Sequence, residues 1–287
     1  MPIEKSEALV LRVILFRDTS KILTVYTAEH GLVSLLAKGV RGPKPRFGAS
    51  LELFACVDVV YYHRDARELQ LLSQASLLDA HLGLSAHPER YVYGTGVLEF
   101  LLKVLSGQEP PGRLYALSQR ALEVLESAPR RALAAVFRAF ELKAVAFLGH
   151  RPELYACADC GRRADEPARW RFSPLTGGIV CGDCAAAMAG AVELSEPALR
   201  TLRRMLTAKL DELAADPPDP ADTNAAARVL ESFLQSHLER YESLRSLRMA
   251  QSFAAGANGR GQAGDAKTSQ SASRSPRSPS SADSGGK

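Results

Sequence analysis

Over residues 3–80 the apolar positions recur with the short period of extended chain. Leu9, Leu11, Val13 and Leu15 share one face of a first segment, and Val10, Ile14 and Phe16 make its other face apolar as well. Asp18-Thr19-Ser20-Lys21 is turn chemistry, followed by a β-branched and aromatic run from Ile22 to Thr27. Ala28-Glu29-His30-Gly31 reverses the chain into Leu32 to Ala37. Residues 38–50, dense in Gly and Pro at their start, form a loop. Strands at Leu51 to Tyr62 and Leu69 to Ser76 follow, joined by a polar hairpin at 63–67. Five short strands without a long helix predict a small β-barrel of the OB type.

From Ser85 the period lengthens. Tyr91, Leu98, Leu101, Leu102 and Leu105 fall at helical spacing and stop at Gly107 and Pro110. Leu114 to Leu125 predicts a second helix ending near Pro129, and Leu133 to Leu148 a third closed by Gly149. A cysteine-bearing stretch interrupts the pattern. Helices resume over about 195–214, break at the prolines of 216–222, and end with one from Thr223 past Tyr241. The expected architecture is therefore an α+β multidomain chain. Its parts are a barrel at 1–80, a helical domain split between 81–150 and 188–253, and an inserted module at 151–187. The Ser/Gly-rich tail at 254–287 is too poor in apolar residues to order itself.

Composition narrows this only a little. The 287 residues carry 36 Lys plus Arg against 32 Asp plus Glu, and the tail alone holds five of the cations and two of the acids. Net charge thus argues for no partner. Glu4, Lys5 and Glu7 precede the first apolar stretch, unlike a secretion signal, and Lys103 interrupts the longest later run. The expectation is a soluble protein of the reducing cytoplasm that does not enter a membrane.

Four of the five cysteines change the picture. Cys157-x-x-Cys160 and Cys181-x-x-Cys184 are spaced as two knuckles, with Gly161 and Gly182 supplying permissive backbone. Two thiolates from each knuckle complete a tetrahedral Zn²⁺ shell and leave no open position, so the metal would be structural. Trp170-Arg171-Phe172 and Ile179-Val180 predict the short strands of a zinc ribbon. A redox dithiol reads less well, because neither pair lies at a strand-to-helix turn of a thioredoxin-like unit. Cys56, among Phe54, Val57 and Val59, is core filling.

The loop after the third predicted strand carries Lys38, Arg41, Lys44 and Arg46 with no acid between them, and then Phe47. Cations neutralise phosphates while Gly and Pro let backbone amides approach them. On an OB barrel this suits a nucleic-acid strand, with Tyr26, Phe47, Tyr61 and Tyr62 as base-stacking candidates, Phe47 and Tyr61 foremost. A solvated turn above core aromatics explains the same residues. Gly94-Thr95-Gly96 lacks the third glycine of a dinucleotide fingerprint, and no nucleotide-binding P-loop, zinc-protease or serine-hydrolase motif occurs. No catalytic residue is assigned.

These pieces together resemble the RecO family. The resemblance rests on Ala8-Leu9-Val10-Leu11, Thr27 to Val33, Ala37-Lys38-Gly39-Val40-Arg41, Phe140-Glu141-Leu142-Lys143, and Leu148-Gly149-His150-Arg151-Pro152 leading into the first cysteine pair. It implies an OB domain, a helical domain and a zinc module in a non-enzymatic recombination mediator. Such proteins bind single- and double-stranded DNA and anneal complementary strands. With RecR they help load RecA onto DNA coated by single-strand binding protein, whose acidic tail some members also bind. Arg200, Arg203, Arg204, Arg245 and Arg248 are candidates for receiving that tail. Arg17-Asp18 departs from the Gly-Glu common in the family. Without the resemblance, an RNA-binding protein of translation or RNA processing fits the barrel and ribbon equally well.

Overall fold

The computed structural model describes residues 2–41, 47–64, 66–105, 112–164, 169–239 and 241–248. The tail at 254–287 lies outside them. The N-terminal strands are β1 (Ile3–Phe16), β2 (Ser20–Thr27), β3 (Gly31–Ala37), β4 (Cys56–Tyr62) and β5 (Leu69–Asp79). They close into a barrel in the order β1-β2-β3-β5-β4, antiparallel throughout except where β3 meets β5 in parallel. That order and that single parallel seam are the OB arrangement. One strand is not short: β1 runs 14 residues, pairs with β4 through its first half and with β2 through its second, and shifts register between Val10 and Arg12. A bulge there lets one strand serve both sides of the closure.

The residues that point into the barrel are Ala8, Val10, Leu23, Val25, Leu35, Val57, Val59, Tyr61 and Leu72. Period-two alternation sends their neighbours outward, but outward is not everywhere solvent. Leu9, Leu11, Tyr26, Phe54 and Cys56 belong instead to the core of the helical part. Tyr26 meets Tyr115 edge to face at 5.3 Å between centroids.

The helices are α1 (Leu82–Ala86), α2 (Pro88–Val104), α3 (Gly112–Ser127), α4 (Leu133–Phe147), α5 (Gly182–Ala186), α6 (Glu196–Thr207), α7 (Leu210–Ala215) and α8 (Pro220–His237). Helix α4, apolar nearly all round, is the central one and packs on α2, α3, α6, α7 and α8. Two expectations shift. The stretch 195–214 is two helices, because Lys209 adopts extended backbone and caps α7. The last long helix ends at His237, where Leu238 turns extended, so Tyr241 reaches α4 from a separate segment.

Gly94 and Gly96 give α2 a bare flank for close packing. A Cβ at Gly94 would sit 3.1 Å from Phe54, and one at Gly96 2.9 Å from the buried Phe137 ring. Gly96→Ala is expected to destabilise the fold by about 1–2 kcal/mol in denaturant titration, since crowding the core outweighs the gain in helix propensity of about 1 kcal/mol.

No helix among the described residues is long and apolar enough to cross a membrane.

Candidate metal centre and cationic barrel rim

The cysteine module is built on a three-stranded sheet, β7-β6-β8, from β6 (Trp170–Ser173), β7 (Gly178–Cys181) and β8 (Val192–Glu193). The segment leading to the first knuckle is laced to β7: Ile179 N donates to Glu153 O and Ala158 N to Ile179 O. At Gly178 any Cβ would lie 2.9 Å from the Glu153 carbonyl, so the two chains approach only because that position is glycine. Gly161, at φ +75°, turns the first knuckle and donates its amide to Cys157 O. The second knuckle passes from Cys181 at the end of β7 into α5, a strand-to-helix turn contrary to expectation, but its sulfurs face the first pair, and an Arg162–Asp183 ion pair at 3.1 Å ties the two together.

This geometry brings all four sulfurs within 4.8 Å of one another, with Cys160 Sγ 3.8 Å from Cys181 Sγ. Zn–S bonds of about 2.3 Å at tetrahedral angles place sulfurs about 3.8 Å apart, so the donor set fits a closed metal shell. Burial pushes the Cys157 thiol up, but the amides of Cys160, Cys181 and Asp159 aimed at its sulfur overcome this and hold it at about 6. Cys184 is raised by its hydrogen bonds to Asp159 and Cys181. His150 is not among the ligands; its ring lies 5.8 Å from that of His237. Cys56 is buried and pushed up to about 11 by burial, an inert thiol at the junction of barrel and helices.

On the barrel, Lys38 and Arg41 are exposed. The loop carrying them is fastened to the β1–β2 turn, because the amides of Val40 and Arg41 both donate to Thr19 O and the Arg41 guanidinium donates to Arg17 O. Arg17 lies over the Phe16 ring at 5.2 Å and holds positive φ, so its side chain joins the same rim. Lys44 and Arg46 lie outside the described residues. Phe47 is half-buried and rests against the barrel core. Tyr61 and Tyr26 correct an expectation: Tyr61 is 1% exposed inside the barrel and Tyr26 is fully buried against the helices, where no base can stack on either. Tyr62, next to Tyr61, faces out. Asp58, two positions before Val60 and four before Tyr62, carried the phase that separates the two tyrosines. Arg64 and Arg67, in the hairpin read only as polar, add charge to this wall.

Of the late-helix arginines, three are engaged. Arg200 pairs with Glu196, Arg203 donates to Leu154 O and covers the Tyr155 ring, and Arg204 holds Asp216. Arg245 and Arg248 are exposed.

Family models for the two parts of the chain match: Recombination protein O N terminal over residues 1–81 and Recombination protein O C terminal over residues 86–248. Among similar proteins is the DNA repair protein RecO of Streptomyces griseus, 34% identical over 257 residues that span 86% of this chain and 98% of that one. Another is the DNA repair protein RecO of Rubrobacter xylanophilus, 37% identical over 185 residues, 64% of this chain and 72% of that protein. A third, of Symbiobacterium thermophilum, is 34% identical over 207 residues, 72% of this chain and 81% of its own. With both halves matched in order, the chain belongs to the RecO family of non-catalytic DNA repair and recombination proteins.

Proposed function

We propose that this protein is a recombination mediator that binds single- and double-stranded DNA through the cationic rim of its barrel and anneals complementary strands. With RecR it helps load RecA onto DNA coated by single-strand binding protein. The observation that carries this reading is the rim itself, where Arg17, Lys38 and Arg41 are brought together on an OB barrel by hydrogen bonds between two loops. Rigid placement of cations lowers the entropy lost on holding a phosphate backbone. The four cysteines hold one structural Zn²⁺, and the closed shell keeps the metal out of any chemistry. For the acidic tail of single-strand binding protein, Arg245 and Arg248 are the cations left exposed beside Leu247.

The expected result for the rim is quantitative. If Lys38, Arg41, Lys44 and Arg46 each neutralise a phosphate, log affinity for a single strand falls with log salt at a slope of about −3. Replacing all four by Ala is expected to remove most of that slope in anisotropy titrations. An unchanged affinity and slope would place the DNA elsewhere, and a strong preference for matched RNA over DNA would overturn the repair role.

A further inference from the structure

We infer that the barrel wall beside Lys38 holds a pocket for one unstacked base of a single strand. The inference rests on the DNA-binding reading above and specifies which form of DNA the site takes.

It starts from an anomaly of patterning. An antiparallel wall that faces water ordinarily alternates apolar in and polar out. At one level of this barrel the outward positions are all apolar: Ile14, Ile22, Leu36, Leu71, Tyr62 and Ile3, each paired by register with the next. None is fully buried, and Ile3 and Ile14 are 61% and 49% exposed. Among the described residues, Leu36, Leu71 and Tyr62 belong to neither hydrophobic core.

At these three residues the wall is indented. The parallel seam between β3 and β5 lasts only from Ser34–Leu69 to Leu36–Leu71. Beyond it the strands part and leave a cavity of about 130 Å³ lined by Leu36, Leu69, Leu71 and Tyr62, with Lys38, Arg64 and Arg67 at its margin. That volume is the liquid share of about four waters, the scale of one planar ring system, and well below the about 300 Å³ at which sites for larger ligands begin. Among the described residues, no carboxylate lines it. A small, mainly apolar cavity with cations at its margin matches a base with its phosphates, and a duplex keeps its bases stacked out of reach.

The margin is also held in place. Gln70, buried beneath the hairpin, accepts from Arg64 N and donates to the carbonyls of Arg64 and Arg67. One amide side chain therefore fixes the backbone from which both arginines project, and Lys38 follows directly on β3. The site is formed before a strand arrives.

The test compares a short single strand with the same strand carrying abasic residues, at fixed salt, by anisotropy. Wild-type protein is expected to bind the abasic strand about tenfold more weakly. Tyr62→Ala is expected to lose the same factor on the intact strand and nothing further on the abasic one. Its salt slope and its duplex affinity should not change, and Tyr62→Phe should bind as wild type. Leu71→Ala, on a different strand, should reproduce the loss in part. Equal binding of intact and abasic strands by wild type would overturn the pocket, as would a Tyr62→Ala loss of equal size on both strands. So would an acidic apolar peptide that fills the cavity without displacing DNA. Absence of binding to any DNA at low salt would sink the DNA-binding reading itself, an outcome distinct from these.

Discussion

Substituting Ser for both Cys157 and Cys181 is expected to abolish zinc binding at the proposed centre and unfold the cysteine module while leaving the barrel strands paired. Metal binding contributes about 10–16 kcal/mol to isolated four-ligand peptides, as much as or more than the about 5–15 kcal/mol that holds a whole domain together. The module has little else to rely on, since its strands are four, four and two residues long. Nor would the damage stay local. Phe172 lies 6.0 Å from Phe233 of α8, edge to face, and Ile179 and Val180 share the helical core. The chain carries its own reporter: Trp170, the only tryptophan, is buried directly opposite Cys181. Loss of zinc by mass spectrometry should coincide with a red shift of its emission. A chelator should produce the same change in wild-type protein, and so should acid, because protons compete with metal for sulfur. A doubly substituted chain with one equivalent of zinc and native emission would disprove the assignment.

Arg138→Met is expected to cost about 3–5 kcal/mol, the second large effect. Arg138 and Glu141 lie one turn apart on α4 and pair at 2.7 Å, with the Glu141 side chain fully buried. Tyr241, from beyond α8, donates its hydroxyl to the same carboxylate at 3.3 Å. Burial pushes the Glu141 carboxyl above its ordinary range, while the guanidinium and the hydroxyl pull it back down. Removing Arg138 strands the charge. The double variant Arg138→Met, Glu141→Leu should recover much of the loss, since a well-packed apolar pair replaces a buried ion pair at little cost. The pH dependence has a definite sign. A carboxyl raised in the folded state binds more protons there than when unfolded, so its contribution falls as pH rises from the ordinary carboxylate value through the folded one. Arg138→Met should steepen that fall, and acidification toward the ordinary value should restore part of the stability. Denaturant midpoints at several pH values measure both effects.

What the sequence makes legible follows from how local each signal is. Barrel strands, helices and knuckles are short-range patterns, and the two Cys-x-x-Cys pairs needed only spacing to be recognised as one site. The break between α6 and α7 carries no Gly or Pro; Lys209 turns there because its backbone caps the next helix. That Tyr62 faces out while Tyr61 is buried is a matter of phase, which adjacent aromatics hide and only the acid at position 58 betrays. The cluster of Arg17 with Lys38 and Arg41 is long-range, set by loop-to-loop hydrogen bonds that no linear pattern contains.

Strand β1 belongs to both halves of this protein, so the two cannot be cut apart cleanly. Its successive residues are divided between two interiors, Ala8 and Val10 in the barrel and Leu9 and Leu11 among the helices. Excising residues 1–80 would lay Leu9, Leu11, Tyr26 and Phe54 open to water as a sticky seam, and the isolated fragment should self-associate. The shared strand also couples melting of the two halves, so calorimetry of the intact chain should record one heat absorption peak where two domains would ordinarily give two.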